Sequence, residues 1–164
     1  MGQVERLYKE MAELLKEQGA TLATLATAES CTGGRIASLL TQVAGASEWY
    51  RGGVVAYTRE AKIHVLGVPE EELSDGLVSE RCAIAMAQAA ADRFGADFAL
   101  STTGVCGPSS SEGVLPCGAW IACASGGQSK AFFFQAPDQG RQQNIDAVAV
   151  AALQLLLQTL STKR

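Results

Sequence analysis

Residues 21–43 read as a strand, a polar turn and a helix in immediate succession, and this unit constrains the fold more than any other stretch. Thr21 to Thr27 is rich in Thr, Leu and Ala, as a buried strand is. Ile36, Leu39, Leu40 and Val43 then repeat at helical spacing, and between the two lies Glu29-Ser30-Cys31-Thr32-Gly33-Gly34. A strand that turns straight into a helix lays that helix over its own sheet, so an α/β architecture is expected.

The remaining elements follow the same logic. Val4, Leu7, Met11, Leu14 and Leu15 predict an amphipathic first helix over residues 3–18, ended by Gly19. Residues 52–57 predict a second strand, and residues 60–66 a short helix closed by Gly67 and Pro69. Residues 70–76 are a polar connector, Ser79 is placed to cap an alanine-rich helix ending near Phe94-Gly95, and residues 97–102 predict a third strand. Residues 104–116, with two prolines and three consecutive serines, are expected to form a mobile loop. Residues 118–124 and 130–135 flank Ser125-Gly126-Gly127-Gln128, a hairpin signal, and residues 141–160 predict a final helix. The expectation is a three-layer α/β/α domain spanning residues 1–164. Its mixed sheet has five strands, or six, with parallel strands first and an antiparallel hairpin last. The loops at residues 28–34, 57–62 and 103–108 then leave one sheet edge, where open α/β sheets hold their ligands.

Charge narrows the function. The net charge is −4 and the 13 Lys and Arg are scattered, so the basic face needed to bind a phosphate backbone is missing and nucleic acid is not an expected partner. No apolar run approaches the length of a membrane span and the first residues do not form a leader, so a cytoplasmic location is expected. Five cysteines without Cys-x-x-Cys spacing, and a single histidine, His64, point to reduced thiols and to no metal site.

Ser30 lies after a strand and before a helix, where backbone N–H groups favour negative charge. It reads either as a nucleophile beside an oxyanion site or, with Thr32, as a helix cap. Gly33 and Gly34 weigh toward the first, because two glycines at a helix start cost stability unless something approaches the backbone closely. The candidate bases are Lys62, His64 and Glu29. To act near neutrality Lys62 must lose about 4 kcal/mol of preference for its charged form, which burial supplies. Tyr57 is placed to orient Lys62 or serve a leaving group, and otherwise sits at a rim. The small-residue turn Thr103-Gly104-Val105-Cys106-Gly107-Pro108 offers amides to a carbonyl or phosphate. Arg141, in the first turn of the last helix, suits a phosphate or is a surface arginine. Cys31 has no histidine placed to activate it.

Residues 27–34 (Thr-Ala-Glu-Ser-Cys-Thr-Gly-Gly), 57–62 (Tyr-Thr-Arg-Glu-Ala-Lys), 66–69 (Leu-Gly-Val-Pro), Val78-Ser79 and residues 103–108 (Thr-Gly-Val-Cys-Gly-Pro) occur in the order of a known family. From its first helix to its last the chain resembles the CinA C-terminal domain family, the nicotinamide-nucleotide amidases. The resemblance implies hydrolysis of nicotinamide mononucleotide to nicotinic acid mononucleotide and ammonia, without metal or cofactor, by a serine assisted by a lysine. Carried over, these are Ser30 and Lys62, with Tyr57 at the site. Thr103, Gly104 and Arg141 then line the pocket beside Glu29, Cys31, Thr32, Gly33 and Gly34. A pyridine nucleotide is the expected partner, and the alanine-rich helix and apolar hairpin are expected to offer a homodimer face.

Four departures fall in the substrate region. Arg59 replaces the usual Asn, and Ser109-Ser110-Ser111 replaces a glycine run. Leu115-Pro116-Cys117 lacks an acidic-basic pair, and Ile145 stands where a second arginine is expected. The larger nucleotide-processing domain that precedes this one in full-length CinA proteins is not in the sequence, so a stand-alone amidase is expected. The alternative is an altered paralogue that binds a nucleotide or a partner protein without turnover. A redox or metal protein built on the cysteines is the third reading.

Overall fold

The structure, a computed structural model, describes residues 6, 7, 9, 10, 13 and 23–162. The expected first helix therefore lies largely outside the described residues, as do Thr21 and Leu22 at the start of the expected first strand.

Five strands form one sheet: β1 Leu25–Glu29, β2 Tyr50–Val55, β3 Phe98–Val105, β4 Gly118–Ser125 and β5 Gln128–Gln135, in the order β2-β1-β3-β4-β5. β1 lies between β2 and β3 and pairs in parallel with both, whereas β3, β4 and β5 are successively antiparallel. Helices α1 Arg35–Thr41, α2 Glu80–Phe94 and α3 Arg141–Ser161 cover the faces. The alternation of side chains along each strand assigns those faces. Leu25, Leu100 and Ile121 meet Ile36, Leu39 and Leu40 of α1 and Val148, Leu153 and Leu156 of α3. Ala26, Ala28 and Ala99 face Met86 and Ala90 of α2, while Ala122 meets its Ala83 and Ala87. Alanines on both sides of this second interface let α2 lie close to the strands. Helix α3 is long and apolar enough to cross a membrane, yet Val148, Ala152, Leu153, Leu156 and Leu160 are all buried in the core.

Local chemistry sets most element ends. Ser79 caps α2 by accepting from the Cys82 N–H at 3.0 Å, and Gly95 ends it in the left-handed region at φ 57°. Ser79→Ala is expected to lower stability by about 1 kcal/mol, read as a fall of about 2–4 °C in Tm. Gly126 and Gly127, at φ 59° and 78°, make the two-residue turn between β4 and β5.

Several strand boundaries differ from expectation. β2 ends at Val55 instead of Tyr57, and β5 begins at Gln128 instead of Lys130, because Ser129 and Gln128 still pair with Ala124 and Ser125. β1 ends at Glu29 instead of Thr27, because Ala28 and Glu29 are paired on both sides, with Val54 and Ser101 and with Val55 and Thr102. β2 begins two residues earlier than expected, its Tyr50 hydroxyl hydrogen bonded to Thr27 Oγ1 at 2.7 Å. β3 runs on through Thr103, Gly104 and Val105, which pair with Trp120, Ala119 and Gly118. A side chain at position 104 would overlap Ala119, so the glycine serves close strand contact.

Candidate active site

The site is built where β1, β2 and β3 end side by side. Ser30 follows β1 directly, and its N–H still donates to Thr102 O of β3 at 3.0 Å. Beyond β2, Ala56 N–H donates to Glu29 O at 2.8 Å, and the chain then winds into a single wide π-helical turn, Ala61–Leu66. That turn aims Lys62 inward and leaves His64 exposed, so the two side chains diverge. Lys62 Nζ stands 2.9 Å from Ser30 Oγ and donates to Ala56 O at 2.9 Å. Lys62 is 1% exposed and Ser30 8%. Burial pulls the Lys62 pKa down against the smaller upward pull of Cys82, Cys31 and Glu112.

Ser30 does not cap α1. The N-cap is Gly34, without a side-chain bond, and the first-turn donors go to Glu29 instead. The Glu29 carboxylate, 1% exposed, accepts from Ile36 N at 2.8 Å, Ala37 N at 3.0 Å and the Thr32 hydroxyl at 2.7 Å. Since Thr32 donates to Glu29, the 2.8 Å contact between the hydroxyls of Thr32 and Thr102 runs from Thr102 to Thr32. Gly33 and Gly34 answer to conformation, not close approach: both are left-handed, at φ 57° and 96°, and a Cβ on Gly33 would meet nothing within 4 Å. Gly33 N–H closes a turn onto Ser30 O at 3.0 Å.

A cavity of about 260 Å³ opens over Ser30. The structure brings Ser30, Cys31, Tyr57, Lys62, Thr103, Gly104 and Arg141 together on its wall; Glu29, Thr32, Gly33 and Gly34 do not line it. Tyr57, 55% exposed, accepts from Arg141 Nη2 at 2.8 Å, and another Arg141 nitrogen donates to Gly107 O. Thr103 donates its hydroxyl to Leu77 O. Cys31 is held protonated, pushed well above the usual thiol range by the adjacent Cys106 thiol and by burial. All five cysteines are buried free thiols, and among the described residues no three His, Cys, Asp or Glu side chains gather as metal ligands would.

Two positions escape the sequence reading. Asn144, 1% exposed, donates to Cys106 O at 3.0 Å and Asp138 Oδ1 at 2.8 Å, fastening the loop after β3 to α3. Its signal is its spacing three residues from Arg141, on one face of the helix. Glu112 lines the cavity from that loop, and no periodicity marks it. Of the four departures, Arg59 pairs with Glu70 at 2.7 Å, Ile145 packs against the core and Leu115 is exposed, so only Ser109 and Ser111 reach the wall.

The sequence profile of the CinA C-terminal domain matches residues 4–160. The chain belongs to the CinA C-terminal domain family. Among solved CinA structures, the competence damage-inducible protein A of Klebsiella pneumoniae subsp. pneumoniae superposes with a TM-score of 0.91 at 31% identity, over 98% of each chain. The competence/damage inducible protein of Agrobacterium tumefaciens gives a TM-score of 0.88 at 34% identity, over 98% of this chain and 97% of that one. A CinA-like protein of Cytophaga hutchinsonii is 42% identical over 92% of this chain, which spans only 35% of that relative. The nicotinamide-nucleotide amidohydrolase PncC of Escherichia coli (strain K12) is 41% identical over 73% of this chain and 72% of its own length.

Proposed function

We propose that this CinA domain hydrolyses nicotinamide mononucleotide to nicotinic acid mononucleotide and ammonia, with Ser30 as nucleophile and Lys62 as base. The observation that carries the reading is the buried 2.9 Å contact between Lys62 Nζ and Ser30 Oγ. The amidohydrolase PncC, 41% identical, supports the substrate class. A neutral lysine has two N–H bonds and one lone pair. With one N–H given to Ala56 O, the lone pair is free to accept the Ser30 proton.

Ser30 Oγ then bonds to the carboxamide carbon, and the amides of Cys31 and Thr32 are the candidate donors to the oxyanion, since Gly33 N–H is engaged within its turn. Lys62 returns the proton to the amide nitrogen, the C–N bond breaks and ammonia leaves. Water, deprotonated by the same lysine, cleaves the acyl ester to the acid and restores Ser30. Arg141, at the cavity edge with a fixed charge, is the candidate partner for the substrate phosphate. The test is ammonia release from nicotinamide mononucleotide by the purified chain; no release from it or from related pyridine carboxamides ends this reading.

The pH dependence follows in sign. Only unprotonated Lys62 acts as base, so kcat/KM rises with pH through its pKa and then levels. Because burial lowers that pKa, the midpoint is expected clearly below the value of about 10.4 of an exposed lysine. A profile still climbing at that pH counts against Lys62.

A further inference from the structure

We propose that Glu112 is a specificity-determining residue of this site and selects substrates whose amide-bearing ring carries a positive charge. The inference rests on the amidase reading above and concerns which ring that reaction accepts. Four observations place the carboxylate. Glu112 stands in the loop between β3 and β4 at φ 51°, a left-handed conformation that residues other than glycine seldom adopt. It is held there by a tight turn in which the N–H groups of Ser111 and Val114 donate to each other's carbonyls at 3.1 and 2.8 Å. Its Oε1 accepts from Leu77 N at 2.9 Å and Val78 N at 3.4 Å, across the cavity mouth. A side chain at Gly76 would overlap that same oxygen, so the backbone before α2 leaves room for it.

The result is an anchored anion on the wall over Ser30. Among the described lining residues the charged side chains are Lys62, Arg141 and Glu112. When Lys62 is neutral, as a base must be, the wall carries one fixed cation and one anion. That pattern complements a zwitterion: a phosphate for Arg141 and an N-glycosylated pyridine ring, which is cationic, for Glu112. A ring without the charge presents the same amide and nearly the same shape, but loses the attraction. Glutamine at 112 keeps an oxygen able to accept from Leu77 and Val78, through weaker bonds, while removing the charge.

The experiment compares nicotinamide mononucleotide with its 1,4-dihydro form, whose ring is neutral. Calorimetric titration of Ser30→Ala protein, which removes turnover, gives the ratio of the two dissociation constants. Adding Glu112→Gln is expected to cut the preference for the cationic nucleotide by about fivefold to tenfold, and less so at high salt. Equal weakening of both nucleotides, or an unchanged ratio, overturns the assignment and leaves the amidase reading intact. Binding of neither nucleotide overturns it as well. Failure of the wild type to release ammonia overturns the amidase reading alone, because the affinity ratio still decides the role of Glu112.

Discussion

Ser30→Ala is expected to reduce ammonia release from nicotinamide mononucleotide by at least about 10³-fold, with the far-ultraviolet spectrum and Tm close to wild type. The nucleophile supplies the atom that bonds to the carboxamide carbon, and neither Cys31 nor Thr103, beside it on the wall, is equipped to replace it. Cys31 is held as a protonated thiol and Thr103 donates its hydroxyl to Leu77 O. Lys62→Met is expected to give a loss of similar size. The double variant should be scarcely worse than either single one, because nucleophile and base act as a unit. A multiplicative loss in the double variant, or substantial turnover by Ser30→Ala, excludes the pair.

Lys62→Met carries a second signature in stability. The buried wild-type amine has a lowered pKa, so between that value and about 10.4 the unfolded chain binds more protons than the folded one. Wild-type stability therefore rises with pH across that window, and the methionine variant lacks the rise. Denaturant titrations of both proteins at several pH values measure it.

Glu29→Ala is the second large effect, and it is expected in stability. The substitution leaves the N–H groups of Ile36 and Ala37 without their acceptor and empties a buried volume at the end of β1. A loss of about 3 kcal/mol is expected, seen as a fall of roughly 6–12 °C in Tm. Glu29→Gln, which keeps the shape and one acceptor oxygen, should recover a large part of it. A Tm within a degree or two of wild type for Glu29→Ala would show that water or a neighbouring hydroxyl caps α1 equally well.

Glu29 also marks where the sequence stops being informative. A carboxylate beside a candidate nucleophile reads as a base or a substrate ligand. Its use as a helix cap depends on amides seven and eight residues ahead, and no local pattern reveals that. The ends of β1 and β3 are hidden for a related reason: strands buried on both faces lack the alternation that marks a boundary, and all five residues of β1 are buried. Where one residue type decides a backbone turn, the reading is sharper. The hairpin at Gly126-Gly127, the cap at Ser79 and the stop at Gly95 follow from chemistry within a few residues. Ser30 and Lys62 belong to an intermediate case. Their approach follows from the parallel order of β1 and β2, which strand and helix patterns imply, while the choice of Lys62 over His64 follows from the wide turn that carries both.

The polar clasp formed by Arg141 and Asn144 ties the first turn of α3 to the carbonyls of Gly107 and Cys106, while the rest of that helix fills the interior. Cavity lining and hydrophobic cohesion thus share one rod. A change that shifts this helix in the interior would therefore move one side of the cavity with it.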